Sequence, residues 1–269
     1  MLGGTAGEVV ESRHPKFAPG DKVVGMGGWQ LYQVVDPAQP GALRKVDDGR
    51  VPLQAYLGVV GMPGVTAWYG LHRILDPQPG QTVVVSAASG AVGGVVGQLA
   101  KRRGARAVGI AGGPEKCRFV VEELGFDACV DHRAHGDLTS LAAALREACP
   151  QGIDADFENV GGRVLDAVML NANAFSRVAL CGLIAGYGGE DIPMANPRLI
   201  LTSRMRIEGF IVSEHPEVWP QALQELGELV ARGELKYRES VVHGLEKAPE
   251  AFLGMLKGKN FGKQLVKLV

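Results

Sequence analysis

The sequence predicts an α/β protein: a parallel sheet covered by helices on both faces, flanked by β-rich segments from both ends of the chain. Three observations predict it. From about Met62 onward, short apolar runs alternate with amphipathic stretches bounded by Gly and Pro, the pattern of βαβ crossovers. Up to about Leu57, and again beyond residue 233, the texture is short strands and turns. Between them, "VVVSAASGAVGGVVGQLAK" (83–101) passes from an apolar strand through glycines into a helix. With 269 residues, 46% of them hydrophobic and 21% charged, the chain can bury a sizeable core in one large or two modest domains.

In order, "TAGEVVES" reads as a strand, and "FAPGDKVVGM" as a Pro-Gly-Asp turn followed by one. "LYQVVD" and "ALRKVD" read as further strands. "GVTAWYGLHRIL" is helical by pattern. Strands over 82–86, 107–110, 128–130, 155–158 and 176–180 then alternate with helices over 92–103, 114–124, 138–148 and 163–171. "RIEGFIV" is another strand and "EVWPQALQELGELVARG" another helix. The tail, "LKYRESVVHGL" and "GKQLVKLV" around the helix "KAPEAFLGMLKG", suggests a return to the β-rich first part. The expected divisions are 1–61, 62–232 and 233–269.

Composition excludes several classes. A net charge of −1 offers no basic footprint for nucleic acid or a membrane surface. Residues 77–100 carry no charge, yet their Gly, Pro and Ser and the strand-then-helix pattern argue for a buried soluble segment. Cys117, Cys129, Cys149 and Cys181 are scattered without a C-x-x-C, against a disulfide framework or structural zinc and for a reducing compartment. No secretory signal is visible, so the expected location is the cytoplasm. His132 and His135 stand three apart without a third ligand, and no metal is expected.

The glycine stretch points to a nucleotide. Gly90 and Gly93 would let backbone approach a pyrophosphate, and Gly97 would let the helix pack close to the sheet. The free amides and positive dipole end of the helix then face the phosphates. The alternative is that these glycines serve packing alone. The next strand selects among nucleotides. An NAD site places Asp or Glu about 20 residues on, against the ribose 2′-hydroxyl. Here the strand ends "GIAGGPEKC": Gly112 and Gly113 leave room, Lys116 follows, and Arg118 is near. An open turn with a cation suits the 2′-phosphate of NADP(H), unless Lys116 is simply solvated.

"GMPGVTAWYGL", the glycine stretch, "IAGGPEKCRFVVEELGFD", "FENVGG", "CGLIAGY" and "FLGMLKGKNFGKQLVKL" together resemble the medium-chain dehydrogenase/reductase superfamily. Within it they resemble the zinc-free branch of prostaglandin reductases (leukotriene B4 12-hydroxydehydrogenases), plant alkenal double-bond reductases and bacterial curcumin-reductase-like enzymes. The resemblance implies a GroES-like β domain, here partial and formed by the N- and C-terminal segments, beside a Rossmann domain. It implies NADPH-dependent reduction of the C=C bond of α,β-unsaturated ketones or aldehydes, and a homodimer.

By position, the resemblance assigns phosphate-turn contacts to Ser89, Gly90, Ala91 and Val92, and the 2′-phosphate to Lys116; Gly93 and Gly112 join the cofactor-binding set from the glycine spacing and the open turn. His132 stands where relatives have a tyrosine; it can still bond a phosphate oxygen, more strongly when protonated. Asn159 and Asn260 match cofactor asparagines, although Asn159 is equally a good helix cap and Asn260 a turn former. Cys181, Gly182, Leu183, Ile184 and Tyr187, with the backbone of Phe210, Ile211 and Val212, resemble the nicotinamide cradle. Met62, Pro63 and Thr66 are expected near the nicotinamide end.

The reaction so implied needs orientation and a hydrogen-bond donor for a developing oxyanion, with no nucleophile, metal or paired carboxylates. The proton donor is unassigned; Tyr187 and Thr202 are candidates, Thr202 standing where several relatives have tyrosine. Quinone reduction and non-catalytic NADPH binding are the competing readings, and a zinc alcohol dehydrogenase is the weakest. Relatives carry more β-domain sequence ahead of the position of Met1, so the chain resembles a shortened member: a fragment, a misplaced start or a genuine variant. NADPH binding is expected to survive that better than catalysis.

Overall fold

The computed structural model describes residues 1–39 and 43–268. Strand β1 (Leu2–Glu8) pairs antiparallel with β2 (Lys22–Gly28), and β2 with β3 (Leu43–Lys45), making a three-stranded sheet. A 3₁₀ turn (Leu53–Leu57) leads to helix α1 (Met62–Tyr69), which continues into a π-helical turn (Gly70–Leu75).

The central unit follows with β4 (Thr82–Ser86), α2 (Gly93–Arg102), β5 (Arg106–Ala111), α3 (Pro114–Glu122) and β6 (Ala128–Asp131). Then come α4 (Leu138–Ala148), β7 (Ile153–Glu158), α5 (Arg163–Met169), β8 (Ala172–Leu180), the short α6 (Arg198–Thr202) and β9 (Arg206–Gly209). These strands form one sheet in the order β6-β5-β4-β7-β8-β9, with every pairing parallel. That is the doubly wound Rossmann order, and it reverses direction between β4 and β7. Every residue of β4 is buried, and each of Val83, Val84 and Val85 contributes about 1.5–3 kcal/mol of burial. One face packs under α1, α2, α3 and the later helix α7 (Trp219–Ala231), the other under α4 and α5. The chain closes with β10 (Glu239–His243), α8 (Ala248–Leu256) and β11 (Lys263–Lys267).

Three expectations change. "LYQVVD" forms no strand: Leu31, Tyr32 and Val34 are exposed, and without a surface to cover their β-branched and aromatic character does not select a strand. The tail strands pair with each other in parallel rather than joining the first sheet. They reach the N-terminal segment by packing, through Trp29 edge-on to Phe252 at 6.1 Å and Lys263 against Gly58. Gly97 faces a ring rather than the sheet backbone: a β-carbon there would lie 1.8 Å from Phe126 Cζ.

Candidate active site

The crevice opens where β4 and β7 part, at the strand ends that carry nearly all the candidate residues. Ser86, the last residue of β4, donates from Oγ to Glu158 Oε1 at 2.8 Å and accepts from the Asn159 amide at 2.7 Å. Asn159 Nδ2 donates to the Ser86 carbonyl at 2.8 Å. Asn159 therefore braces the switch point; α5 starts instead after Gly162, without a side-chain cap. Beneath it lie two fully buried acids. Burial raises the Glu158 carboxyl, against bonds from Gly161, Val160 and Ser86. Burial and then Glu158 raise the Asp156 carboxyl further above the ordinary range.

After Ser86 the chain turns sharply. Ala87 adopts φ +50°, the left-handed conformation that glycine takes at the first position of the usual fingerprint, at a cost of about 1 kcal/mol. Gly90 N–H donates back to the Ala87 carbonyl at 2.9 Å. A β-carbon on Gly93 would lie 2.6 Å from that same oxygen, so the turn requires glycine there. Gly94 N–H returns to the Gly90 carbonyl, which leaves the amides of Ala91, Val92 and Gly93 at the open end of α2. No side chain caps that helix. Its positive end and three amides fit a diphosphate. The turn is tied to the far end of the chain: Gly262 N–H donates to the Ser89 carbonyl at 3.0 Å, and Gly90 and Gly262 form a parallel bridge.

At the end of β5, cations gather around Gly112. A β-carbon on Gly112 would meet Arg133 Nε at 2.9 Å and His132 Nε2 at 3.0 Å. Lys116 Nζ donates to the Gly258 carbonyl at 2.7 Å, and Arg133 Nη2 stands 3.6 Å from where a β-carbon on Gly258 would sit. Among the described residues, no carboxylate forms an ion pair with Lys116 or Arg133. Burial and then Arg133 lower the Lys116 ammonium, and burial and then Arg133 lower His132. His132 is therefore neutral at pH 7, and its expected protonated contact is confined to acid. The arrangement fits a 2′-phosphate, whose dianion would relieve that repulsion. Arg133 escaped the sequence reading. So did Asp131, which closes β6 and accepts from the amides of Gly113 (2.7 Å) and Arg133 (2.9 Å), holding the two loops together.

The loop after β8 folds over the end of β7: Cys181 and Gly182 donate to the Glu158 carbonyl, and Ile184 to that of Asn159. Leu183 stacks beside Gly161, and the exposed Tyr187 hydroxyl stands 3.5 Å from where a β-carbon on Gly182 would sit. Phe210, just past β9, lies edge-on to Phe157 at 6.2 Å; the Ile211–Val212 backbone turns there against α1. Met62 is exposed at the start of α1, and Thr66 donates to the Met62 carbonyl at 2.7 Å. Asn260 Nδ2 donates to the Gly262 carbonyl at 2.8 Å, steadying the loop that receives Lys116. Thr202 ends α6, ahead of β9, at the edge where strands begin, and its hydroxyl donates to the Arg198 carbonyl at 3.2 Å. Arg163 donates to the carbonyls of His132 and His135, and among the described residues no group of three His, Cys, Asp or Glu could hold a metal ion.

A doubly wound sheet with an uncapped glycine turn at its switch point defines a dinucleotide-binding protein. Residues 91–228 match the family model described as zinc-binding dehydrogenase, and residues 1–43 that described as the N-terminal domain of oxidoreductase. The chain is 44% identical over 275 residues to the NADPH-dependent curcumin reductase of Escherichia coli, covering 100% of this chain and 78% of that protein. It is 44% identical over 260 residues to the NADP(+)-dependent 2-alkenal reductase of Nicotiana tabacum, with 96% and 74% covered. With prostaglandin reductase 1 of Rattus norvegicus the identity is 42% over 273 residues, with 99% and 81% covered. CurA from Vibrio vulnificus, crystallised in complex with NADPH, superposes with a TM-score of 0.91 at 42% identity, over 100% of this chain and 80% of that one. The chain belongs to the medium-chain dehydrogenase/reductase superfamily, in the branch of the curcumin, alkenal and prostaglandin reductases.

Proposed function

We propose that this protein is an NADPH-dependent reductase of the C=C bond in α,β-unsaturated ketones or aldehydes, with residues 62–232 as its coenzyme-binding unit. The observation that carries the coenzyme half is the meeting of Lys116 and Arg133 around Gly112 and Gly258, with no acid closing β5. The substrate half rests on what the relatives are named for. NADPH, when bound, supplies a hydride to the substrate's β-carbon. The chain's own residues bind and orient. The α2 amides hold the diphosphate, Lys116 and Arg133 take the 2′-phosphate, and the 181–187 loop and the backbone at 210–212 frame the nicotinamide end. Tyr187 offers the crevice a hydroxyl that can donate to the substrate oxygen as it gains charge. A homodimer in the cytoplasm belongs to the same reading, with β9, the outermost strand, available for association. Among the described residues no helix is long and apolar enough to cross a membrane.

The test is coenzyme oxidation with a 2-alkenal, an enone and a quinone, each with NADPH and NADH. Turnover of the enone and alkenal with NADPH, lost in the NADH arm, is expected. Turnover of the quinone alone overturns the substrate assignment, and equal rates with both coenzymes overturn the 2′-phosphate assignment. Light scattering gives the mass in solution; a monomer overturns the dimer.

A further inference from the structure

Two thiols below the coenzyme crevice are set against each other. Cys129 on β6 donates its S–H to Cys117 Sγ on α3 across 2.9 Å. Helix α3 is the crossover that joins β5 to β6, and β6 is the outermost strand on that side. Cys129 pairs in register with Gly109 on β5, where a β-carbon would stand 2.8 Å from Ala88 Cβ, 2.9 Å from Val120 Cγ1 and 3.4 Å from Cys129 Sγ. Both cysteines are half-buried, so a small solute can reach them.

The other two cysteines differ. Cys149 is buried, and burial pushes its thiol up to about 11. Burial and Glu158 push Cys181 up to about 12. Cys117 goes the other way: the hydrogen bond from Cys129, helped by one from the Ala111 backbone, holds its thiol below the ordinary value. Cys129 is raised by the same bond and by burial. The pair thus divides into a thiol made more acidic and a proton-bearing partner, the arrangement of a reactive and a resolving thiol.

We propose that Cys117 and Cys129 form a redox-modification site that a hydroperoxide converts into an intramolecular disulfide joining α3 to β6. The Cys117 thiolate attacks the terminal peroxide oxygen; an S–O bond forms, the O–O bond breaks, and the alcohol (water, for hydrogen peroxide) leaves after taking a proton. Cys129 sulfur then attacks Cys117 sulfur: the S–S bond forms, the S–O bond breaks, and water leaves with the Cys129 proton. In sum, two thiols and one hydroperoxide give one disulfide, one alcohol and one water, the thiols losing the two electrons that the peroxide gains.

The site adjoins the cation cluster. Lys116 immediately precedes Cys117 on α3, and β6 runs directly into His132 and Arg133. Bond formation draws the sulfurs from 2.9 Å to about 2.0 Å, pulling together the two elements that carry Lys116 and Arg133. A phosphate seated between those cations fills the space that this movement closes, so NADPH disfavours the cross-link at equilibrium and the cross-link weakens NADPH, by reciprocal linkage. Only this linkage rests on the proposed 2′-phosphate site; the disulfide does not.

The test uses the full chain, reduced and freed of reductant, then titrated with hydrogen peroxide. Intact mass should fall by about 2 Da as two hydrogens leave, peptide mapping should join Cys117 to Cys129, and dithiothreitol should reverse both. Cys117→Ser should give no bridge, and Cys129→Ser should stop at an oxygenated Cys117. The dissociation constant for NADPH should rise several-fold in the oxidised protein and that for NADH should not change. Four thiols still titratable after excess peroxide, a bridge between other cysteines, or a wild-type protein that stops at sulfinic acid on Cys117 would overturn the site. A Cys117–Cys129 bridge that leaves the NADPH constant unmoved would overturn the linkage alone.

Discussion

Lys116 Nζ reaches across to the carbonyl of Gly258 at 2.7 Å, and Arg133, just past β6, stands against that glycine and against Gly112. Two cations from separate crossovers thus face one point with no carboxylate between them. Charge-assisted contacts to a phosphate are worth about 1.5–3 kcal/mol each, or roughly 10- to 100-fold in affinity. Replacing Lys116 with Glu or Arg133 with Ala should weaken NADPH by at least about tenfold in calorimetric titration and leave NADH nearly unchanged. A Lys116→Glu protein that kept its preference for NADPH would show that the phosphate lies elsewhere.

His132 should titrate only in acid. Burial and Arg133 lower it below the ordinary 6.5, so it is neutral from pH 7 upward. NADPH should therefore tighten only as pH falls below the ordinary imidazole range, where His132 gains its proton beside the phosphate. His132→Gln should lose that acid limb and match wild type at pH 8. Affinity that rises between pH 8 and pH 7 in wild type alone would contradict this.

Asp156 sets a slope on stability. Its carboxyl is raised by burial and by Glu158, so the folded protein holds a proton that the unfolded chain releases near 3.8. A carboxyl raised on folding favours the fold at low pH, and that advantage drains away as pH rises from the unfolded value toward the folded one. Asp156→Asn should flatten the dependence of Tm on pH and raise Tm by several degrees near pH 8. Parallel curves for the two proteins would refute it.

Gly97 and Phe126 are an interlocking pair. Adding a methyl at Gly97 places it inside the buried Phe126 ring, and overpacking of this kind costs about 3 kcal/mol. Gly97→Ala should lower denaturant stability by that order, and Phe126→Leu should cost less in the Gly97→Ala background than alone. Additive effects would mean that the ring moves aside freely.

The central sheet was legible because its strands are short, apolar and punctuated by glycine, and β4 and α4 fall on the residues that patterning selects. The residues 31–36 misled because Leu, Tyr and Val signal a strand only when something buries them, and Val34 is fully exposed. Lys116 was legible as a candidate through the missing acid of β5. Arg133 was not, because a basic residue in a polar loop looks like solvated surface until β6 brings it beside Gly112. The sequence signal lay in Asp131-His132-Arg133 closing a strand next to the open turn, with Asp131 binding backbone rather than ribose.

The bridge between Gly90 and Gly262 has a consequence for biosynthesis. A nascent chain can complete the six-stranded sheet while its final strand is still inside the ribosome, since domains fold as they emerge. The seat for the diphosphate would then lack its outer stitch. Coenzyme capture should begin only once Gly262 has left the ribosome, and a chain stalled before that point would carry a finished sheet with an unfinished grip.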